Sequence, residues 1–524
     1  MKESIQAADV IIRGGTIIDG TGRPRFRGDI SVRDGKITSL GNLSQMRGER
    51  EFSAEGLIVA PGFIDAHAHS DTAFVRDGSG ASKLYQGVTT EISGNCGDSP
   101  FPAVPGEKAP WQLPSFADFL EAFSARGCRM AVNQALLMGH GTLREAVIGD
   151  GNRPATPAEM AEMQRHLRRD LEAGAWGLSL GLEYAPGCFA DQAELNALGQ
   201  TVAEAGGIVT CHMRSEGLHI DSALEELAEI GRVSGAHVHA SHLKLDNYTV
   251  HGRASQVWDF IERANREGIR FTADTYPYTA SSTTLSIRCP RWSMDGGREG
   301  LLRHLQGPRR AEIIDAIRSH YFNAQRAETC LFSDDGGLWP GIVGRTLRDV
   351  AENTLQTTDY AEAAAQVLLR TQAKAWCVFF VMDEQDMLYF LSRDICIGSD
   401  GYALPGDRAR LNYNPHPRSY GAIAEFFRLA REKKLCSLEE AVRRVTGKPA
   451  EVFSIPHRGR LAVGLAADIT VFDPEMIAPR ATYLQPVQLA QGVRFVLVNG
   501  KVALADGRQT EERAGQFLRR NTGK

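Results

Sequence analysis

No stretch of the chain approaches the roughly 20 consecutive apolar residues that span a bilayer, and no block of like charge interrupts it. Basic residues number 59 and acidic residues 64, a net charge of −5. Without a basic stripe there is nothing to neutralise a row of phosphates, which argues against a nucleic-acid surface. The opening residues, Met1-Lys2-Glu3-Ser4-Ile5-Gln6, lack the charged-then-apolar plan of an export leader. Cysteine is sparse and irregular, nine in 524 residues, a pattern of reduced thiols and not of a disulfide framework. Short-period repeats and low-complexity tracts are missing as well. The expectation is a soluble, cytoplasmic protein with no membrane and no nucleic-acid partner.

A chain this long exceeds one ordinary core unless a barrel of about 250 residues takes a large share. Its two ends resemble each other. Asp9-Val10-Ile11-Ile12, Asp29-Ile30-Ser31-Val32 and Lys36-Ile37-Thr38 are short β-rich runs around an Asp34-Gly35 turn, and the pattern returns in Asp468–Phe472 and Phe495–Val502. Neither end supplies enough strands for a stable unit alone. The economical arrangement is one small β domain from residues 1–60 and 455–524, with residues 61–454 inserted.

In that middle, strand-like runs alternate with helical patterns, the signature of βα units around a parallel sheet. Eight candidate strands end near His69, Ser93, Gly139, Leu180, His212, His242, Tyr276 and Asp400, suggesting a (β/α)8 barrel. Helices are expected over Pro157–Ala173 and Leu438–Thr446. About 120 residues separate Tyr276 from Ile395, far beyond a βα connection. Part of this stretch, about 285–345, is expected to form a flap over the barrel mouth, with Ile313, Ile314 and Ile317 on one helical face.

Residues with ligand chemistry collect where these strands end, the end at which barrel active sites are built. His67 and His69 share a face of the first strand because side chains alternate with period two. Cys96 lies in Gly94-Asn95-Cys96-Gly97 after the second strand; His212, His242 and Asp400 close the fifth, sixth and eighth. Thiolate, imidazole and carboxylate together suit Zn²⁺.

These motifs resemble the amidohydrolase superfamily, which places His-x-His on strand one, one His each on strands five and six, and Asp on strand eight. The Cys96 turn, together with Gly177–Gly187, His212–Gly217, Ser241–Lys244 and His416–Gly421, is similar to the N-acyl-D-amino-acid deacylases. The resemblance runs from about residue 8 to about 510. It implies a tight Zn²⁺ site of Cys96, His212 and His242, with His67, His69 and Asp400 bordering a weaker second one. Asp400 would be general base and acid, and the substrate a small N-acyl-D-amino acid. The strand-four stretch Trp176–Leu180 has no lysine, unlike the carboxylated lysine of hydantoinases. Cyclic-amide hydrolysis, deamination and an inactive scaffold remain the alternatives.

For the substrate carboxylate, Lys244 and Arg418 offer positive charge, and Tyr276 or Tyr278 a further donor. Arg288 and Arg291 could read an acidic side chain or lie on the solvent face of the flap. Trp292 and Trp339 could wall the pocket or hold the flap's own core. His140 is open between a loop role and a substrate role. His237 and His239, at odd spacing from His242, are expected on the outer face of their strand. Asp65 is expected in a packing or supporting role.

Overall fold

The computed structural model describes residues 8–106 and 110–520. Residues 1–7, where the leader reading was made, lie outside them. Among the described residues, eight short parallel strands form a barrel: β1 (Phe63–Asp65), β2 (Val88–Ser93), β3 (Asn133–Leu136, continued by Met138–Gly139), β4 (Gly177–Gly181), β5 (Ile208–His212), β6 (His237–Ala240), β7 (Phe271–Thr275) and β8 (Cys396–Ile397). Each pairs in parallel with the next, through registers such as Asp65↔Glu91, Gly181↔His212 and Thr275↔Ile397. The ring closes where the Ala66 N–H donates to the Ile397 carbonyl and Ala68 bridges Gly401. Both faces of these strands are buried, as a parallel sheet under helices requires.

The surrounding helices follow their sequence signals. Pro157–Glu172 begins with a capping box between Thr156 and Glu159 and buries Met163, Leu167 and Leu171. Leu438–Arg444 carries Glu440 paired with Arg443 and Arg444 one turn on. None of the described helices is long and apolar enough to cross a membrane.

Strands from both chain ends join one nine-stranded sheet in which Ile58–Pro61 pairs with Ala8–Ile17 on one side and Ile469–Phe472 on the other. Ile37, Val59, Val471 and Val502, spread across this sheet, share one core, so it folds over as a small sandwich beside the barrel. Between β7 and β8 lies a body with its own core. It holds an antiparallel sheet of Ser281–Thr284, Cys330–Asp334 and Trp376–Phe379, the last central, and helices that include Arg310–Arg318 and Tyr360–Arg370. Ile313, Ile314 and Ile317 are buried in it. This core extends to Val381, past residue 345 where the flap was expected to end, because Tyr360–Arg370 and Trp376–Phe379 bury their apolar faces in it.

Candidate metal-dependent active site

The carboxyl ends of the barrel strands bring His67, His69, Cys96, His212, His242 and Asp400 around one space. Cys96 Sγ lies 3.2 Å from His242 Nε2 and 3.5 Å from His67 Nε2. Asp400 Oδ1 is 3.0 Å from His69 Nε2 and 3.8 Å from His67 Nε2. Three of the six carry left-handed backbone: Cys96 at φ 55°, His242 at φ 37° and Asp400 at φ 49°. Such conformations cost about 1–3 kcal/mol each outside glycine and cluster at functional sites. The Cys96 turn is cramped as well: Gly94 has φ 79°, and a Cβ there would meet the Leu137 carbonyl oxygen at 2.3 Å, so only glycine delivers the thiol.

The donor set fits a metal ion. Bonds of 2.0–2.3 Å around a tetrahedral ion separate its ligands by about 3.3–3.8 Å, and the distances above fall in or near that range. Three groups gather within 4.8 Å: His67 with Cys96 and His242, His67 with His69 and Asp400, and His212 with Glu216 and His242. The expected trio of Cys96, His212 and His242 is thus divided between two of them. His242 joins the two, facing Cys96 with Nε2 and Glu216 with Nδ1, while the His212 ring stands edge-on to it at 4.6 Å.

Burial pushes the Cys96 thiol well above its usual range, with Asp400 adding to the effect, and pulls His212 down to about 4. His242 is held well below its ordinary value by burial and by Lys244. Asp400 goes the other way. Burial opposes its charge, but Arg418, His242 and His69 outweigh that and keep it ionised.

Behind the cluster stands a layer of hydrogen-bonded charges of the kind that orients metal-binding histidines. Glu216 lies 3.0 Å from His242 Nδ1 and pairs with Lys244. Asp274, which the sequence reading left without a role, accepts the His242 N–H at 3.0 Å, bonds His239 Nε2 at 2.9 Å and lies 3.4 Å from His67 Nδ1. His239 therefore does not face outward. Regular alternation ends with β6 at Ala240, and the left-handed turn at His242 resets the phase on which that expectation relied. His237 bonds Thr272 at the same strand pair. Asp65 accepts the His67 and Ser399 N–H groups and pairs with the buried Lys83.

A cavity of about 250 Å³ opens on the cluster, lined by His69, Cys96, His212, His242 and Asp400 with Lys244, Arg288 and Arg418. Lys244 is buried and already engaged with Glu216 and with His242. Arg418 Nη1 lies 2.9 Å from Asp400 Oδ2 yet makes no well-directed hydrogen bond. Arg288 stands over the Phe379 ring at 4.5 Å, in the cavity and not on a solvent face. Neither Tyr276 nor Tyr278 lines the cavity. Tyr276 lies beneath Arg418, 4.9 Å from its guanidinium, with its hydroxyl toward Met382; Tyr278 is buried against His416 and Tyr483. Strand-end position alone does not bring them to the cavity; the segment after β7 first lines it at Ser281–Thr284.

Glu183, Tyr184, Asp246, Trp376 and Tyr402 line the cavity and were given no role from sequence; Glu183 and Tyr184 fall within the Gly177–Gly187 motif, whereas Asp246, Trp376 and Tyr402 reach the cavity only through the fold. Glu183, which contacts His212 at 3.0 Å, is raised to about 7 by burial and by Glu216. Trp292 and Trp339 stack on Arg309 and Arg370 within the inserted body. Arg291 donates to the Arg214 carbonyl. His140 bonds Glu194, tying helix His140–Val147 to helix Gln192–Glu204.

The Amidohydrolase family pattern matches residues 50–278 and 396–504, leaving out the inserted body. The chain is 36% identical to the N-acyl-D-glutamate deacylase of Alcaligenes xylosoxydans xylosoxydans, covering 98% of this chain and 97% of that one. It is 34% identical to the D-aminoacylase of the same organism, with 98% of each covered. Among solved structures it is similar to the N-acyl-D-glutamate deacylase of Bordetella bronchiseptica complexed with zinc and a phosphonate mimic of the tetrahedral intermediate, with a TM-score of 0.82, 35% identity, and 98% and 100% of the two chains covered. Similarity of this extent, continuous from end to end, makes the chain a member of the Amidohydrolase family and, within it, of the N-acyl-D-amino-acid deacylases.

Proposed function

We propose that the protein hydrolyses the amide bond of N-acyl-D-amino acids with the aid of zinc, releasing a free D-amino acid and a carboxylic acid. Convergence of five ligand-type side chains, His67, His69, Cys96, His212 and His242, on an ionised Asp400 carries this reading. Cys96, His212 and His242 would hold a tight Zn²⁺, with His67, His69 and Asp400 at a weaker second position. When bound, the ion supplies a Lewis acid for the scissile carbonyl and acidifies a water molecule. Asp400, kept ionised by Arg418, takes the proton of the attacking water and returns it to the leaving amine. Glu216, beside His242 Nδ1, and Asp274, which accepts the His242 N–H, orient His242.

Arg418, with Lys244 as a second positive charge shared with Glu216, would receive the α-carboxylate. Tyr276 supports Arg418 from below instead of touching substrate. Arg288, half-buried in the cavity, favours an acidic side chain over an apolar one, since a guanidinium can hold a carboxylate through paired hydrogen bonds. We also infer that residues 61–454 act as the catalytic unit and that residues 1–60 and 455–524 form a β domain that buttresses it. The deciding experiment is a panel of N-acetyl D- and L-amino acids assayed for released amine, with metal content measured on the same preparation. Zinc with turnover of D-glutamate and D-aspartate derivatives is the expected result; equal rates on L enantiomers would sink the assignment.

A further inference from the structure

The cavity at the cluster is one of two that meet at Asp400. The second, about 530 Å³, shares Ser282, Trp376, Asp400, Tyr402 and Arg418 with the first. Beyond these shared residues it is walled by Ser333, Tyr413, Asn414 and Pro415, with Arg76 and Asp334 also on its lining. Its outer wall is braced: Arg408 donates to the Tyr413 carbonyl at 2.7 Å and to Asn414 Oδ1 at 2.9 Å, and the Asn414 N–H donates to Ser333 of the inserted body at 2.8 Å.

An amide has two arms, and both need room once the scissile carbon sits beside Asp400. The first cavity holds Arg288 and Lys244, which suit the carboxylates of the amino-acid arm. We propose that the second cavity binds the acyl arm and selects acyl groups with a flat aromatic body over acetyl, an inference that rests on the hydrolysis proposed above. An acetyl methyl, close to a water molecule in size at about 30 Å³, leaves most of this space to solvent. A phenyl ring would instead lie among Trp376, Tyr402 and Tyr413, and one such aromatic contact is worth about three- to tenfold in affinity.

The test compares kcat/KM for N-phenylacetyl-D-glutamate and N-acetyl-D-glutamate on the zinc-loaded full chain, in the wild type and in Tyr413→Ala and Asn414→Trp, with thermal melts to verify folding. The wild type should prefer the phenylacetyl substrate by about three- to tenfold, and each variant should lower that ratio by a similar factor. A wild-type ratio below one, or a ratio that neither folded variant moves, overturns the acyl site while leaving the deacylase reading intact. Absence of hydrolysis with both substrates overturns both. Should the variants fail to fold, inhibition of the wild type decides: phenylacetate should inhibit at least threefold more tightly than acetate, and equal inhibition overturns the proposal.

Discussion

Two buried charge clusters lie within a few residues of each other along β1, and their hydrogen bonding differs sharply. In the lower one, the Lys83 ammonium reaches Asp65 at 2.6 Å, Ser399 at 3.0 Å and Glu91 at 3.4 Å; Ser70 and Gln134 complete Glu91, and two backbone N–H groups complete Asp65. Every charged group there has a partner, and all three are fully buried. Burial alone would neutralise Lys83, but Asp65 and Glu91 reverse that and keep it charged. In the upper cluster, His67 Nδ1, His212 Nδ1 and Arg418 Nη1 make no directed hydrogen bond although they are buried. Satisfied buried polar groups hold a fold together, whereas unsatisfied ones cost stability and persist where a ligand completes them. The lower cluster joins strands through complete pairing; the upper one keeps buried polar atoms without a directed partner beside the cavity.

Removing a ligand from the upper cluster should have the largest consequence. Cys96→Ala is expected to lose tightly bound zinc and activity together, with little change in fold; elemental analysis and turnover check this, and wild-type zinc would overturn the thiolate assignment. Asp400→Asn comes next. It keeps the shape but cannot take a proton, so kcat should fall by about 10²–10⁴ with zinc retained; a near-normal rate would make Asp400 structural only.

Breaking the lower cluster should act on stability before chemistry. Lys83→Met leaves Asp65 and Glu91 buried and unpaired, and chemical denaturation should show a loss of about 3–5 kcal/mol. A change within about 0.5 kcal/mol, the usual scatter of surface sites, would erase the contrast drawn between the clusters. At the cavity wall, Arg288→Ala should cost about 2–5 kcal/mol in kcat/KM for N-acetyl-D-glutamate and far less for N-acetyl-D-leucine; equal losses would place Arg288 outside side-chain recognition.

The smallest effect concerns acid. His237, at the start of β6, is lowered to about 3 by burial and by the neighbouring His239 and Arg270. Unfolded, it takes up a proton near pH 6.5; folded, it resists. Its contribution is therefore complete above pH 6.5 and lost as pH falls from there toward 3. His237→Gln should flatten stability against pH over that window by about 1–3 kcal/mol, read from denaturation at pH 7 and pH 4.5.

The barrel was legible because its strands are short apolar runs separated by amphipathic helices, and because a fold with its site at one end forces ligand residues to the strand ends. His67, His69, Cys96, His212, His242 and Asp400 could be named from position and residue type. Two things were not legible. Alternation predicts which way a side chain points only while the strand continues, so His239, near the break at Ala240, was assigned to the wrong face. Partners that are distant in sequence carry no mutual signal, which is why Asp274 and the pairing of Lys83 with Asp65 and Glu91 went unseen.

The parallel barrel, the strands that both ends give to one sheet, and six residues of ligand chemistry at the strand ends were legible in local periodicity and motif; Glu216, which joins His212 and His242 in one group, was not. Tertiary structure alone decided that His242 joins two groups of ligands, that Lys244 is engaged by Glu216, that Tyr276 supports Arg418 from beneath, and that the inserted body brings Ser333 and Trp376 to a second cavity at Asp400. The physical reason is range. Periodicity and turn chemistry act over a few residues, while desolvation, ion pairing and cavity shape depend on groups brought together from hundreds of residues apart.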